Sequence, residues 1–230
     1  MNSVYIYHHL GLGDHFICNG LVRTIYKKYD RTFLFCKPKN FKNIAFLYQD
    51  LNNLKIIAFD DNDVHQFMLL NPLNNYLIVG HEKLLGWPKI PEPNGYKSDE
   101  RFYYLADVPL ENKWKEFYVK RDIEREKQIY AELGLKDNEE YAFVHDDSRQ
   151  ITKNITNIRI IKPDKMEYSP FDYLYTIERA KEIHCIDSSF FCLIECIGIN
   201  KDNMYLHQYA RTDMGPNVVY ILRSNWKILN

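Results

Sequence analysis

Val4-Tyr5-Ile6-Tyr7-His8-His9-Leu10-Gly11-Leu12-Gly13-Asp14-His15 is the stretch that decides the fold. Its first four residues are β-branched and aromatic, an apolar run short enough for a buried strand. Two glycines then permit a sharp change of direction. Beyond them Ile17, Leu21 and Ile25 recur at every fourth position, which stacks them on one face and predicts a helix over 15–29. A strand, a glycine turn and a helix are the opening of a βαβ unit, whose next strand runs parallel to the first.

The same rhythm continues outward. Phe33-Leu34-Phe35-Cys36, Leu54 through Phe59 and Tyr76-Leu77-Ile78-Val79 read as strands, with helices expected over 41–48 and 64–70. Between Leu84 and Asn94 the pattern breaks at Gly86, Pro88, Pro91 and Pro93, and a loop is expected there, leading into a helical linker. A charged helix over 120–132 ends at Gly134, a residue suited to the left-handed capping position. A second alternating block follows, with strands at 141–144, 159–161, 182–186, 204–206 and 218–222. Its helices start at Ser169-Pro170 and at Asp187-Ser188-Ser189. Short apolar strands alternating with helices mark parallel sheets covered on both faces. The expectation is an α/β protein of two Rossmann-like halves facing across a cleft, divided as 1–118 and 119–230.

Composition removes several function classes. The 230 residues carry 30 basic and 31 acidic side chains, a formal net charge of −1, which argues against a dominant attraction to nucleic acid. Aromatic residues make up 15% of the chain; a stacking platform for single-stranded nucleic acid would also need a basic groove beside them. No run of about 18 uncharged apolar residues exists, so no membrane span is expected. The five cysteines, Cys18, Cys36, Cys185, Cys192 and Cys196, form no CxxC pair and read as buried thiols of a cytoplasmic protein. No ligand spacing for zinc is present.

Three strand-to-helix junctions carry chemistry. The first is Gly11-Leu12-Gly13-Asp14-His15, where glycines admit a ligand close to the backbone; its ordinary alternative is a turn with Asp14 as helix cap. Phe16 stands where a dinucleotide fingerprint would place its third glycine, and no phosphate-loop GxxxxGK[ST] occurs. The second is Asp187-Ser188-Ser189, small hydroxyl residues at a helix start, able to bond a phosphate or simply to cap. The third is His145-Asp146-Asp147-Ser148-Arg149 with Lys153 beyond, at the carboxyl edge of a sheet, where open α/β proteins bind ligands.

Together the junctions resemble those of the heptosyltransferase-like GT-B glycosyltransferases. Gly11-Leu12-Gly13-Asp14-His15 is similar to that family's first loop, in which a Gly-Asp follows the first strand. Glu178-Arg179-Ala180 leading to Cys185-Ile186-Asp187-Ser188-Ser189 resembles its late helix, strand, Asp-Thr/Ser-Gly and apolar helix. Ser189 stands here for that glycine, and Cys192 for a histidine one turn later. The fucosyltransferases give a weaker echo, with a glycine-rich turn early and Ser-Ser-Phe late. The resemblance implies a compact GT-B-like fold, an acceptor-side first half and a nucleotide-sugar-binding second half. It implies transfer of a sugar from a nucleotide-diphosphate donor to a hydroxyl acceptor, with no separate cofactor and no metal. Asp14 would be the general base and His15 an acceptor contact. Gly11, Gly13, His145, Arg149, Lys153, Asp187, Ser188 and Ser189 would serve the donor and its phosphates.

Two other readings stay open. Asp60-Asp61-Asn62-Asp63 contains an Asp-x-Asp, and Asp61 with Asp63 could chelate a divalent cation in a metal-dependent GT-A enzyme. A module that binds a nucleotide or sugar without catalysis is the other.

Overall fold

The computed structural model describes residues 2–80, 97–146, 157–164, 167–208 and 220–230. The chain divides into two compact units, Met1–Lys120 with Val219–Ile221, and Arg121–Val218 with Leu222–Asn230. Each unit is a parallel sheet with helices.

In the first unit the strands are β1 (Ser3–Tyr7), β2 (Arg31–Cys36), β3 (Leu54–Ala58) and β4 (Tyr76–Ile78). They lie in the order β3-β2-β1-β4, all parallel, with Val4 beside Thr32 and Tyr7 beside Ile78. The chain thus moves outward from β1 to β3 and then returns to the other side of β1. The helices are α1 (Leu12–Ile17), α2 (Asn19–Tyr26), α3 (Phe41–Leu47), α4 (Asp61–Leu70), α5 (Ser98–Leu105) and α6 (Asn112–Lys115). Much of the aromatic content is packed here. Tyr7, Phe35, Val64, Met68 and Ile78 form a buried cluster against which Tyr5, Phe59, Phe67 and Tyr76 pack. Tyr5 stacks on Phe33 with centroids 4.4 Å apart, and Phe67 fits edge-on to Phe35. These rings build a core; they are not a base-stacking surface.

The first helix differs from its expected 15–29 extent. It starts earlier, at Leu12, breaks at Cys18 and resumes as α2. The cause is a side chain inserted into the helix ladder. The Tyr103 hydroxyl donates to the Ile17 carbonyl at 2.9 Å and accepts from the Leu21 amide at 3.1 Å, the two groups an unbroken helix would pair. Close packing adds to this, since a Cβ on Gly20 would lie 1.9 Å from the Asn112 carbonyl oxygen.

The second unit has β5 (Tyr141–His145), β6 (Arg159–Ile161), β7 (Glu182–Cys185), β8 (Met204–His207) and β9 (Trp226–Leu229). Their order is β6-β5-β7-β8-β9, again all parallel. The helices are α7 (Ile123–Glu132), α8 (Leu174–Arg179), entered through a 3-10 turn at Pro170–Tyr173, and α9 (Ser189–Ile197). Ser169 and Asp172 exchange caps as expected, and Gly134 (φ 68°) follows α7 in the left-handed region. Helix α9 is buried on nearly every side.

The last strand departs from expectation. The described part of 218–222, residues 220–222, is not strand, and β9 lies further on. Backbone bonding explains this. The Ile221 amide donates to both oxygens of Asp99 (3.1 and 3.0 Å), and its carbonyl accepts from Lys113 Nζ at 2.8 Å. Asp99 and Lys113 are themselves a fully buried ion pair, 2.7 Å apart. A peptide whose N–H and C=O are both committed to side chains cannot join a sheet ladder. The expected loop over 84–94 lies outside the described residues.

Candidate functional site

Each sheet has one point where strand order reverses, and in open α/β sheets ligands bind at the carboxyl ends beside that point. In the first unit it falls between β1 and β4. The chain leaves β1 through His8, His9 and Leu10, and Gly11 is the N-terminal flanking residue of α1. Gly13 and Asp14 are therefore inside the helix, and Asp14 does not cap it in the ordinary sense. It sits in the first turn with its carboxylate folded back over Gly11, so that a Cβ at position 11 would meet Asp14 Oδ2 at 2.5 Å. Gly11 thus leaves room for the carboxylate where it lies, and a side chain there would push it aside. Asn40 holds the loop by donating to the Leu10 carbonyl at 3.0 Å.

One histidine, His9, lies beside this aspartate, and His8 and His15 are near it along the chain. His9 Nδ1 is 3.9 Å from Asp14 Oδ1, and His9 Nε2 donates to the Gly80 carbonyl at 2.8 Å across the strand reversal. His8 is buried and its Nδ1 donates to the His9 carbonyl. His15 does not take its expected place. Its ring is wholly buried, edge-on to His8 at 4.4 Å, and neither nitrogen has a hydrogen-bond partner among the described residues. Burial and the neighbouring His8 hold its pKa well below the ordinary imidazole value, so it stays neutral. Its ring is closed off from solvent and packs against His8.

In the second unit the reversal falls between β5 and β7, and two of the predicted residues meet there. Ser188 caps α9, accepting from the Phe191 amide, and its Oγ is 2.9 Å from His145 Nδ1 at the end of β5. Which of the two atoms donates in that contact depends on which ring nitrogen of His145 carries the proton. Phe190 packs against the imidazole at 4.5 Å. Asp187, Ser188 and Ser189 are half-buried, placed at the open N-terminus of a helix whose dipole favours an anion. Arg149 and Lys153 lie outside the described residues.

The same edge holds further titratable residues, of which pattern reading did not single out His184 and His207. Asp146, next to His145, pairs with Lys162 at 3.0 Å. His207 ends β8, and its Nε2 is 2.9 Å from His184 Nδ1, while His184 Nε2 is 3.2 Å from Glu182. Burial and His184 push the His207 pKa down to about 4, against a small opposing effect of Asp146. A lone histidine inside an apolar strand carries no mark of its partners, which is why the pair was not legible.

Asp61 and Asp63 are committed elsewhere. Asp60 and Asp63 form the reciprocal cap of α4, while Asp61 accepts from the Tyr7 hydroxyl at 3.0 Å and pairs with Lys37 at 3.3 Å. Among the described residues no group of three or more His, Cys, Asp or Glu side chains is arranged to hold a metal ion, and no helix is long and apolar enough to cross a membrane.

Solved structures with two such units, each built on a parallel sheet, exist. The glycosyl transferase family 9 protein of Veillonella parvula DSM 2008 superposes with a TM-score of 0.63 at 7% identity, over 99% of this chain and 85% of that one. The fold is of the GT-B type. The ADP-heptose LPS heptosyltransferase II of E. coli gives a TM-score of 0.59 at 10% identity, over 100% of this chain and 90% of its own. No protein-family model and no curated protein matches the sequence. The GT-B architecture expected from Gly11-Leu12-Gly13-Asp14 and Asp187-Ser188-Ser189 is therefore present. The identities are so low that sheet order and helix placement carry the likeness.

Proposed function

We propose that this chain is a glycosyltransferase that moves a sugar from a nucleotide-diphosphate donor to a hydroxyl acceptor, without a metal and with inversion. The observation that carries the reading is the Ser188–His145 bond at the β5–β7 reversal, where a helix N-terminus opens at a sheet edge. The fold supports it, being shared with proteins described as a family 9 glycosyl transferase and an ADP-heptose LPS heptosyltransferase.

In this reading Asp14 takes the proton of the acceptor hydroxyl as that oxygen attacks the anomeric carbon. The bond from that carbon to the diphosphate oxygen breaks, and the electron pair leaves with the diphosphate. General-base help of this kind contributes about 10²–10⁴-fold in rate. The charge arriving on the diphosphate is met by fixed donors, which cost no reorganisation during the step. Ser188 and Ser189 supply hydroxyls, the first turn of α9 supplies amides, and His145 stands beside them as a further polar group. Gly11 and Gly13, which carry no side chains, let the donor's phosphates approach the backbone at this junction. Arg149 or Lys153 would help with positive charge. The direct test is a thermal-shift and transfer screen against ADP-, GDP-, UDP- and CDP-sugars. The reading expects at least one sugar nucleotide to raise Tm and to be consumed in the presence of acceptor, in buffer containing chelator. No response to any of them contradicts it.

A further inference from the structure

Two glycines from different strand ends make room for one pair of side chains. A Cβ on Gly11 would strike Asp14 Oδ2 at 2.5 Å. A Cβ on Gly80 would strike the His9 ring at 2.8 Å, at both Cδ2 and Nε2, and Phe102 at the same distance. Gly80 also has φ +86°, a conformation that side-chain-bearing residues rarely adopt. The chain thus gives up a side chain at two places to hold a carboxylate and an imidazole next to each other.

The imidazole is fixed in orientation as well as in place. A carbonyl oxygen only accepts, so the 2.8 Å contact to Gly80 puts a proton on His9 Nε2. In the neutral ring the lone pair is then on Nδ1, the atom 3.9 Å from Asp14 Oδ1. Phe102 supports the ring edge-on at 5.2 Å, and His8 pins the His9 carbonyl from below. The His9 side chain is 44% exposed and that of Asp14 23%, so both reach solvent.

We propose that His9 is a positioning and proton-accepting partner of Asp14, an inference that rests on the transferase reading above. Asp14 takes the proton from the acceptor oxygen and forms a carboxylic O–H bond. That bond breaks as the proton passes to His9 Nδ1, with a small side-chain rotation closing the 3.9 Å gap. The products are a carboxylate and an imidazolium side by side, and the imidazolium returns its proton to water through its exposed edge. The relay restores the base within the same pair of side chains, and the imidazolium attracts the carboxylate while the new glycosidic bond forms.

The test has one arm that needs no turnover. Histidine ¹⁵N spectra of the whole chain at mildly alkaline pH should show His9 protonated at Nε2 and bare at Nδ1. Asp14→Asn should move the His9 Nδ1 resonance while leaving that of His207 in place. In the kinetic arm, His9→Gln keeps a donor for the Gly80 carbonyl but has no base. It should lower kcat about 10–100-fold, a part of the general-base factor. Its donor KM should be unchanged, and the acid limb of its pH–rate profile should be altered. A His9 ring protonated on Nδ1 alone, or a resonance indifferent to Asp14→Asn, overturns the pairing. Wild-type kcat and pH profile in a folded His9→Gln protein overturn the relay. Correct spectra together with no turnover of any sugar nucleotide by the wild type would sink the transferase reading, and the relay with it, while leaving the pairing established.

Discussion

Tyr103 and Leu21 stand 82 positions apart, and the hydroxyl of one accepts the amide of the other inside what would have been a helix. The same hydroxyl donates to Ile17, so one oxygen closes both ends of the break between α1 and α2. It also sets where α1 stops, and therefore how the Asp14 turn is presented. Tyr103→Phe leaves a buried amide and a buried carbonyl without this partner. An unsatisfied buried group costs about 1–3 kcal/mol. Urea denaturation should show a loss of about that size, with a lower midpoint and an unchanged m-value.

The Asp99–Lys113 pair should behave as a buried salt bridge that also holds backbone. Removing one partner leaves the other charged and enclosed, at about 3–5 kcal/mol. Lys113→Met is therefore expected to lower Tm sharply, and Asp99→Asn, which keeps one oxygen for the Ile221 amide, should lower it through the uncompensated Lys113 charge. The double variant Asp99→Asn/Lys113→Met should lose less than the sum of the two, which a double-mutant cycle reads directly.

Acid should destabilise the chain in a defined window. Burial keeps His207 at about 4 and holds His15 and His184 below the ordinary imidazole value of 6.5. Between that value and about 4 the unfolded chain binds protons that the folded chain refuses, so stability rises with pH across the interval. It is fully present above about pH 6.5 and falls as pH drops, and the His207 part of the loss levels off near its folded value of about 4. Tm measured in buffers across that range tests the sign. His207→Phe, which removes one of the refused protons, should flatten the slope. A Tm that rises on acidification contradicts the assignment.

Metal should be irrelevant to turnover. Asp61 and Asp63 are occupied by Tyr7, Lys37 and the cap of α4, so Asp61→Asn should cost stability and not chemistry. Donor consumption unaffected by chelator is the expected result. Loss of activity restored by manganese would revive the GT-A alternative.

What the sequence made legible follows from the range of the forces involved. Strand and helix rhythm is local, so β1 to β8 were readable within a residue or two, as were the Ser169 cap and the helix beginning after Ser188. The Asp-x-Asp was equally readable as a helix cap, and so it proved at Asp60 and Asp63. What failed was set by partners distant in the chain. The α1–α2 break needs Tyr103, and the missing strand at Ile221 needs Asp99 and Lys113. The same holds at the sites. Ser188 and His145 were singled out separately, but only the β5–β7 pairing brings them within 2.9 Å. His15 looked available because it follows Asp14, yet a helix turns successive side chains about 100° apart, which sends it inward beside His8. His9 passed unnoticed because its partner, Gly80, is 71 residues away.

At the donor side, Ser188→Ala removes the hydroxyl that caps α9 and bonds His145. Loss of a cap costs about 0.5–2 kcal/mol of stability. Loss of one hydrogen bond to a charged phosphate weakens binding by about 1.5–3 kcal/mol, or about 10–100-fold. Calorimetric titration with the responding sugar nucleotide should give that weakening, and Ser188→Thr should recover most of it. Donor affinity indifferent to Ser188→Ala would remove this junction from the site.

The assignment of Asp14 as base meets its most direct test in steady-state kinetics of Asp14→Asn, with donor binding measured on the same preparation. The substitution keeps shape and removes basicity. The expected outcome is a kcat lowered about 10²–10⁴-fold with sugar-nucleotide affinity intact. Full turnover by folded Asp14→Asn would contradict the account.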